Sequence, residues 1–249
     1  MENKFEVSNC TALVTGANRG IGREFVNALV GQGARKVYAC ARNIDSLDDL
    51  ITKHSDKVQA VKLDITNDED IESAAGVCND VNLLINNAGI NRLQAFIAAD
   101  SLSTAQEEMQ TNYFGTLSMC RAFAPILSEN GGGAIVNILS ILARVNLPLM
   151  GSLCASKAAA LSMTQGVRAE LAQQGTAVLA VMPGAVDTDM SRDFPPPKMP
   201  PAQVAEDTLR ALQSGEEELY CGDMASGVAQ GLAGDPKAVE KEFAGYLPG

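Results

Sequence analysis

The chain has 249 residues, no tryptophan, 4% aromatic residues and a formal charge of -11, which bounds it to one large α/β domain or two small ones. Such an acidic surface offers nothing to phosphate backbones, so DNA and RNA are excluded as expected partners. No run of about 18 apolar residues exists to span a membrane. The start, M-E-N-K-F-E-V, lacks the charged and apolar regions of a secretory leader, so a cytoplasmic protein is expected.

Cys10 to Thr15 reads as a buried strand, followed by the glycine turn Gly16-Ala17-Asn18-Arg19-Gly20-Ile21-Gly22 and a helix with Ile21, Phe25, Leu29 and Val30 on one side. Strand, glycine turn and helix aim backbone N–H groups and a helix N-terminus at a phosphate. Gly16 permits the tight turn, and Gly20 and Gly22 permit close approach. Lys36 to Ala41 is the second strand. No acid stands at its end to hold ribose hydroxyls; Arg42 does, with Arg19 in the glycine turn. Two guanidinium groups at one pocket suit a 2′-phosphate, which favours NADPH over NADH.

Val58 to Leu63 is a third strand. Asp64 after it either accepts from an adenine amino group or caps the next helix, which starts near Thr66 or Asn67. Val81 to Ile85 is a fourth, ending in Asn86-Asn87-Ala88-Gly89, where small and amide residues let a cofactor ring approach. One long helix is expected over Ser103 to Leu127, with Asn112 a polar residue in its apolar pattern.

An apolar strand, Ala134 to Leu139, then leads to Ser140. A helix starting near Gly151 or Ser152 carries Leu153 and Lys157, four apart and therefore on one face. A Ser at a strand end and a Lys on the next helix can share a cleft. The strand Ala177 to Met182 runs into Pro183-Gly184-Ala185-Val186-Asp187-Thr188, whose Thr188 could bond an amide or phosphate. The proline-rich segment Phe194 to Pro201 is too stiff for a helix interior and forms a rim. A helix (Ala202 to Ser214), a short strand (Glu218 to Cys221) and a polar tail close the chain.

Strands alternating with helices imply one parallel sheet covered on both faces, with ligands beyond the strand C-termini. Gly16, Arg42, Asp64, Asn86, Ser140 and Pro183 all fall there. The six cysteines are scattered without Cys-x-x-Cys or histidine clusters; they read as reduced core thiols, and no metal site is expected. His54 lies in a polar stretch and reads as a surface residue. No internal repeat or linker divides the chain, so residues 1–249 read as a single domain.

Taken together, Thr15 to Gly22, Leu63-Asp64, Asn86 to Gly89, Asn112, Ser140, Ala155-Ser156-Lys157 and Pro183 to Thr188 resemble the short-chain dehydrogenase/reductase superfamily over nearly the whole chain. The resemblance implies a Rossmann-like doubly wound domain with a seven-stranded parallel sheet and a bound nicotinamide dinucleotide, here NADP(H). It implies a homodimer or homotetramer acting on a small molecule. It places Gly16, Asn18, Arg19, Gly20, Ile21, Gly22, Arg42, Asp64, Asn87, Ala88, Gly89, Pro183, Gly184, Val186 and Thr188 at the cofactor. Lys157 would hold the nicotinamide ribose, Ser140 would orient a substrate oxygen, and Asn112 would position a water.

The family's catalytic Tyr stands four residues before this Lys and thirteen after this Ser. Both counts arrive at Leu153. Leucine has no proton to exchange, and a lost general acid typically costs about 10²–10⁴ in rate. Cys154 lies about 100° round the helix and is a poor substitute. Three readings stay open. The chain is a reductase of carbonyls, imines or activated alkenes that works without the phenol, a carbonyl reductase disabled at position 153, or a non-redox NADP-binding protein. The rim, about 141–152 and 190–201, is mostly apolar (Leu142, Val145, Leu147, Leu149, Met150, Phe194) and predicts a medium-sized hydrophobic substrate. Arg144 is its exception and reads as solvated. The helices of Asn112 and Lys157 carry Gly115, Met119, Ala158, Ala159, Ala160 and Met163 as expected outer residues for a subunit contact.

Overall fold

The computed structural model describes residues 4–248. Its strands are β1 (Thr11–Thr15), β2 (Lys36–Ala41), β3 (Val58–Lys62), β4 (Leu83–Asn86), β5 (Ala134–Ile138), β6 (Ala177–Pro183) and β7 (Glu218–Cys221). They form one parallel sheet in the order β3-β2-β1-β4-β5-β6-β7. The order reverses between β1 and β4, the place where open α/β sheets leave a crevice.

Parallel neighbours require crossovers, and helices supply them. These are α1 (Gly20–Gly31), α2 (Asp48–Lys53), α3 (Asp68–Val77), α4 (Ser103–Met109), α5 (Thr116–Glu129), α6 (Gly151–Leu171) and α7 (Pro201–Ser214). Adjacent strand residues point to opposite faces. Val14, Ile85 and Val136 pack with Phe25 and Leu29 of α1 and Leu209 and Leu212 of α7. Leu13, Leu84 and Ile135 pack with Ile71 of α3 and Met119 and Phe123 of α5. Burial on both faces explains why β1, β4 and β5 read as unbroken apolar runs. Each fully buried Leu or Phe contributes about 1.5–3 kcal/mol relative to exposure.

Four expectations need correction. The long helix is not continuous: a π-helical turn, Gln110–Gly115, separates α4 from α5. The polar tail is two further helices, α8 (Gly222–Gly234) and α9 (Pro236–Phe243), with Asp235 capping α9 through Lys237 N and Ala238 N. Interspersed glycines hide the helical pattern of α8 in the sequence. Three of the six expected outer residues face inward: Met119 and Ala160 are fully buried, and a Cβ on Gly115 would stand 2.9 Å from Ile65. Arg144 is paired rather than simply solvated, donating to the Tyr220 hydroxyl at 2.9 Å and lying 3.5 Å from Glu218.

Candidate active site

The glycine turn is locked to the β4 end by backbone and amide contacts. Gly16 and Gly20 have φ of +63° and +53°, where a side chain is strained. A Cβ on Gly22 would stand 2.2 Å from the Gly16 carbonyl oxygen and 2.5 Å from Asn87 Nδ2. Asn87 Nδ2 donates to the carbonyls of Thr15 (3.0 Å) and Gly16 (3.2 Å). Thr15 Oγ1 accepts from the N–H groups of Asn87 and Ala88 at 2.9 and 3.0 Å. Nδ2 of Asn87 is therefore engaged in shaping the turn.

Ala17 N donates to Cys40 O at 2.9 Å. That tie lies two residues before Arg19 and two before Arg42, so both backbone positions flank one end of the turn. Both side chains are exposed, and Arg19 reaches Asp189 at 3.4 Å. Asn18 is half-buried, and Ile21 packs on the core beneath α1. Asp64 does not cap α3; Asn67 does, accepting from Glu69 N and Asp70 N. Asp64 instead uses Oδ1 for the N–H and hydroxyl of Thr66, at 2.9 and 2.7 Å. Its Oδ2 remains for another donor.

Across the turn, Thr188 Cγ2 stands 3.2 Å from where a Gly20 Cβ would be. Thr188 closes a capping box with Ser191. The preceding segment is held by Asp187 N to Met199 O (2.8 Å) and Met199 N to Ala185 O (2.9 Å), with Val186 buried. Thus the rigid proline-rich segment, which ends in the first residue of α7, fixes Val186 and Thr188. Pro183 ends β6, and a Cβ on Gly184 would press on Met224 of α8 at 3.0 Å.

Lys157 is 9% exposed, and its Nζ donates to Ile138 O at 2.9 Å. Burial without a compensating anion pulls its pKa down to about 8. Gly89 sits between functional groups: a Cβ there would stand 3.0 Å from Asn112 Oδ1 and 3.5 Å from Lys157 Nζ. Ser140, two residues beyond Ile138, has Oγ accepting from Leu142 N at 3.1 Å, which leaves its O–H free to donate.

Asn112 is engaged through its side chain. Its Oδ1 accepts from Ile90 N (2.9 Å), and its Nδ2 donates to Ile90 O (3.0 Å) and Ser156 Oγ (2.9 Å). The amide is consumed in joining Gly89-Ile90 to α6. Thr116 Oγ1 occupies its backbone carbonyl at 3.0 Å inside the π turn. Asn112 faces the β4 loop from within the π turn.

Leu153 is 7% exposed. It packs with Met150, Cys154, Leu142, Leu147 and Phe194, which brings both rim segments together around the position of the missing acid. Cys154 is turned away: its Sγ receives Leu147 N at 3.3 Å, and burial raises its pKa. Tyr113 stacks edge-on against Phe114, outside this cluster.

The sequence profile of the family described as "short chain dehydrogenase" matches residues 10–198. The chain belongs to the short-chain dehydrogenase family. It is 50% identical to a short-chain dehydrogenase from Burkholderia cenocepacia solved in complex with NADP, with a TM-score of 0.91 over 96% of this chain and 98% of that one. It is 26% identical to a Sphingobium yanoikuyae short-chain dehydrogenase in complex with NADPH, with a TM-score of 0.77 over 91% and 95%. An uncharacterized oxidoreductase of Staphylococcus saprophyticus is 32% identical over 219 residues, 84% of this chain and 93% of the relative.

Within this short-chain dehydrogenase, a dinucleotide fits the residues present. The glycine turn offers a side-chain-free cradle, and a buried ammonium lies at the far end of the crevice. Two residues beside the site escape sequence reading. Glu108 is fully buried and accepts from Arg92 N (2.7 Å) and Ser152 Oγ (2.5 Å). In the run Gln106-Glu107-Glu108 it looks like one more solvated acid; only its place four residues before Asn112, on the same face, hints otherwise. Asn91 carries no motif signal at all.

Proposed function

We propose that the chain is an NADPH-dependent reductase of medium-sized, mostly apolar carbonyl, imine or activated-alkene substrates, with Lys157 as proton source where the family's phenol is absent. The observation that carries this is the buried Lys157 ammonium, without an ion-pair partner among the described residues and held at Ile138 O, two residues before Ser140. The dinucleotide, when bound, supplies hydride. Turn Gly16–Gly22, Asp64, Ala88, Gly89 and Thr188 would hold it, with Arg19 and Arg42 on the 2′-phosphate. Relatives in complex with NADP and NADPH support that choice.

The chain must provide orientation and a proton. Ser140 O–H donates to the substrate oxygen. Lys157, with a pKa of about 8, gives up a proton far more readily than an exposed lysine, directly or over one water, and is recharged from solvent. Leu153 and its neighbours exclude water and accept the apolar body of the substrate. Imines that enter already protonated need only the orientation. The buried state of all six thiols supports a reducing, cytoplasmic setting. The outer face of α6, where Ala158 is exposed and Ala159 and Met163 are half-buried, supports a homodimer or homotetramer.

The test is single-turnover mixing of the NADPH-loaded protein with panels of ketones, aldehydes, cyclic imines and enones. Loss of NADPH absorbance with at least one class is expected. Inertness toward all of them would overturn this reading and leave a reductase disabled at position 153 or a non-redox role.

A further inference from the structure

We propose that Asn91 is a substrate-binding residue, its side-chain amide donating a hydrogen bond to an acceptor oxygen on the substrate. The inference rests on the reductase reading above. It starts from how the segment after Gly89 is pinned. Ile90 exchanges both backbone hydrogen bonds with the Asn112 amide. Arg92 N is held by Glu108. Gln94 O accepts from Ser152 N (3.3 Å) and Oγ (3.2 Å). Phe96 lies where a Gly151 side chain would be. The backbone of residues 90, 92 and 94 is therefore tied to the helices.

Asn91 lies between these ties and its side chain reaches Met150. Its Nδ2 stands 3.2 Å from Met150 Sδ, and Met150 packs directly with Leu153 in the apolar wall of the cleft. Its Oδ1 is already used, accepting from Leu93 N at 2.9 Å and supporting Leu93 at φ +53°. Beyond a second lone pair on Oδ1, the amide has its two donors left. One is spent on a thioether, a weak acceptor; the other has no acceptor among the described residues. With Ser140 O–H on the β5 side, the cleft presents two neutral donors among aliphatic side chains. Such a site recognises an uncharged oxygen acceptor and rejects the same skeleton without it, because its donors would be left unpaired.

Acetophenone and its deoxy counterpart ethylbenzene probe this by calorimetric titration into the NADP⁺-loaded protein. Asn91→Asp keeps the oxygen that holds Leu93 and removes the donors; Asn91→Ala removes both. The wild type should prefer the ketone. Both variants should lose that preference by about tenfold, with unchanged NADPH affinity and cooperative thermal melts. A wild type indifferent to the oxygen, a preference kept in both variants, or one lost in only a single variant overturns the proposal. If the preference behaves as expected while the NADPH panel shows no oxidation, the reductase reading fails and Asn91 stands as a ligand-recognition group.

Discussion

Lys157 holds a buried charge with one carbonyl as its partner, and this makes its titration visible in two independent ways. The first is stability. Its folded pKa of about 8 lies below the ordinary 10.5, so between those values the unfolded chain binds more protons and stability rises with pH. Lys157→Met should therefore stabilise the protein at pH 7 by up to about 3 kcal/mol, with the gain shrinking as pH climbs from 8 toward 10. Urea unfolding at several pH values checks this; a gain that does not change with pH would contradict it. The second is chemistry, and Leu153 is its control. Leu153→Tyr restores a phenol four residues before Lys157 and should raise carbonyl reduction by about 10²–10⁴. It also crowds the Met150, Leu142 and Phe194 cluster, at a cost of about 1–3 kcal/mol. Steady-state kinetics with melting curves separate the two effects. Gly16, Ser140, Leu153 and Lys157 were legible in the sequence because their spacing follows the chain. The task of Asn112 was not, because its partners Ile90 and Ser156 lie 22 and 44 residues away.

The glycine turn and the π-interrupted helix α4–α5 decide whether the site is built. Gly22→Ala forces a methyl into the Gly16 carbonyl, which is backbone and cannot rotate aside. NADPH binding should be lost and the fold destabilised. Gly76→Ala in α3, where nothing lies within 4 Å of the added methyl, should instead stabilise by up to about 1 kcal/mol. Equal effects of the two in calorimetry would argue against the close approach at Gly22. Glu108→Ala leaves Arg92 N without its acceptor and Ser152 Oγ with Gln94 O alone; a cost of about 1–3 kcal/mol and faster amide exchange at Arg92 are expected. The elements themselves were mostly readable. β2 and β7 carry the expected limits, because apolar runs bounded by polar turns set them. The π turn was not readable, since a single added residue leaves the helical apolar pattern nearly intact. Nor was α8: Gly222, Gly227, Gly231 and Gly234 dilute helix propensity, and packing on β7 and the β6 end overrides it.

At the scale of the molecule, parallel strand order alone gathers groups far apart in sequence at one sheet edge. Gly16, Arg42, Asp64, Gly89, Ser140 and Thr188 all follow strand ends. A ligand bound only by this assembled crevice stabilises the whole sheet by mass action, about 2.7 kcal/mol at a hundredfold excess over Kd. NADPH should therefore raise the melting temperature more than NADH at equal concentration, and the difference should vanish in an Arg19→Ala/Arg42→Ala double variant. The proposed reductase takes its proton from Lys157 rather than from a phenol. The most direct measurement is kcat/KM for NADPH-dependent reduction of the best ketone, from pH 6 to 10. A plateau below about pH 8 and a tenfold fall per unit above it is the predicted result; a flat profile across that range, or none of the activity at any pH, would contradict it.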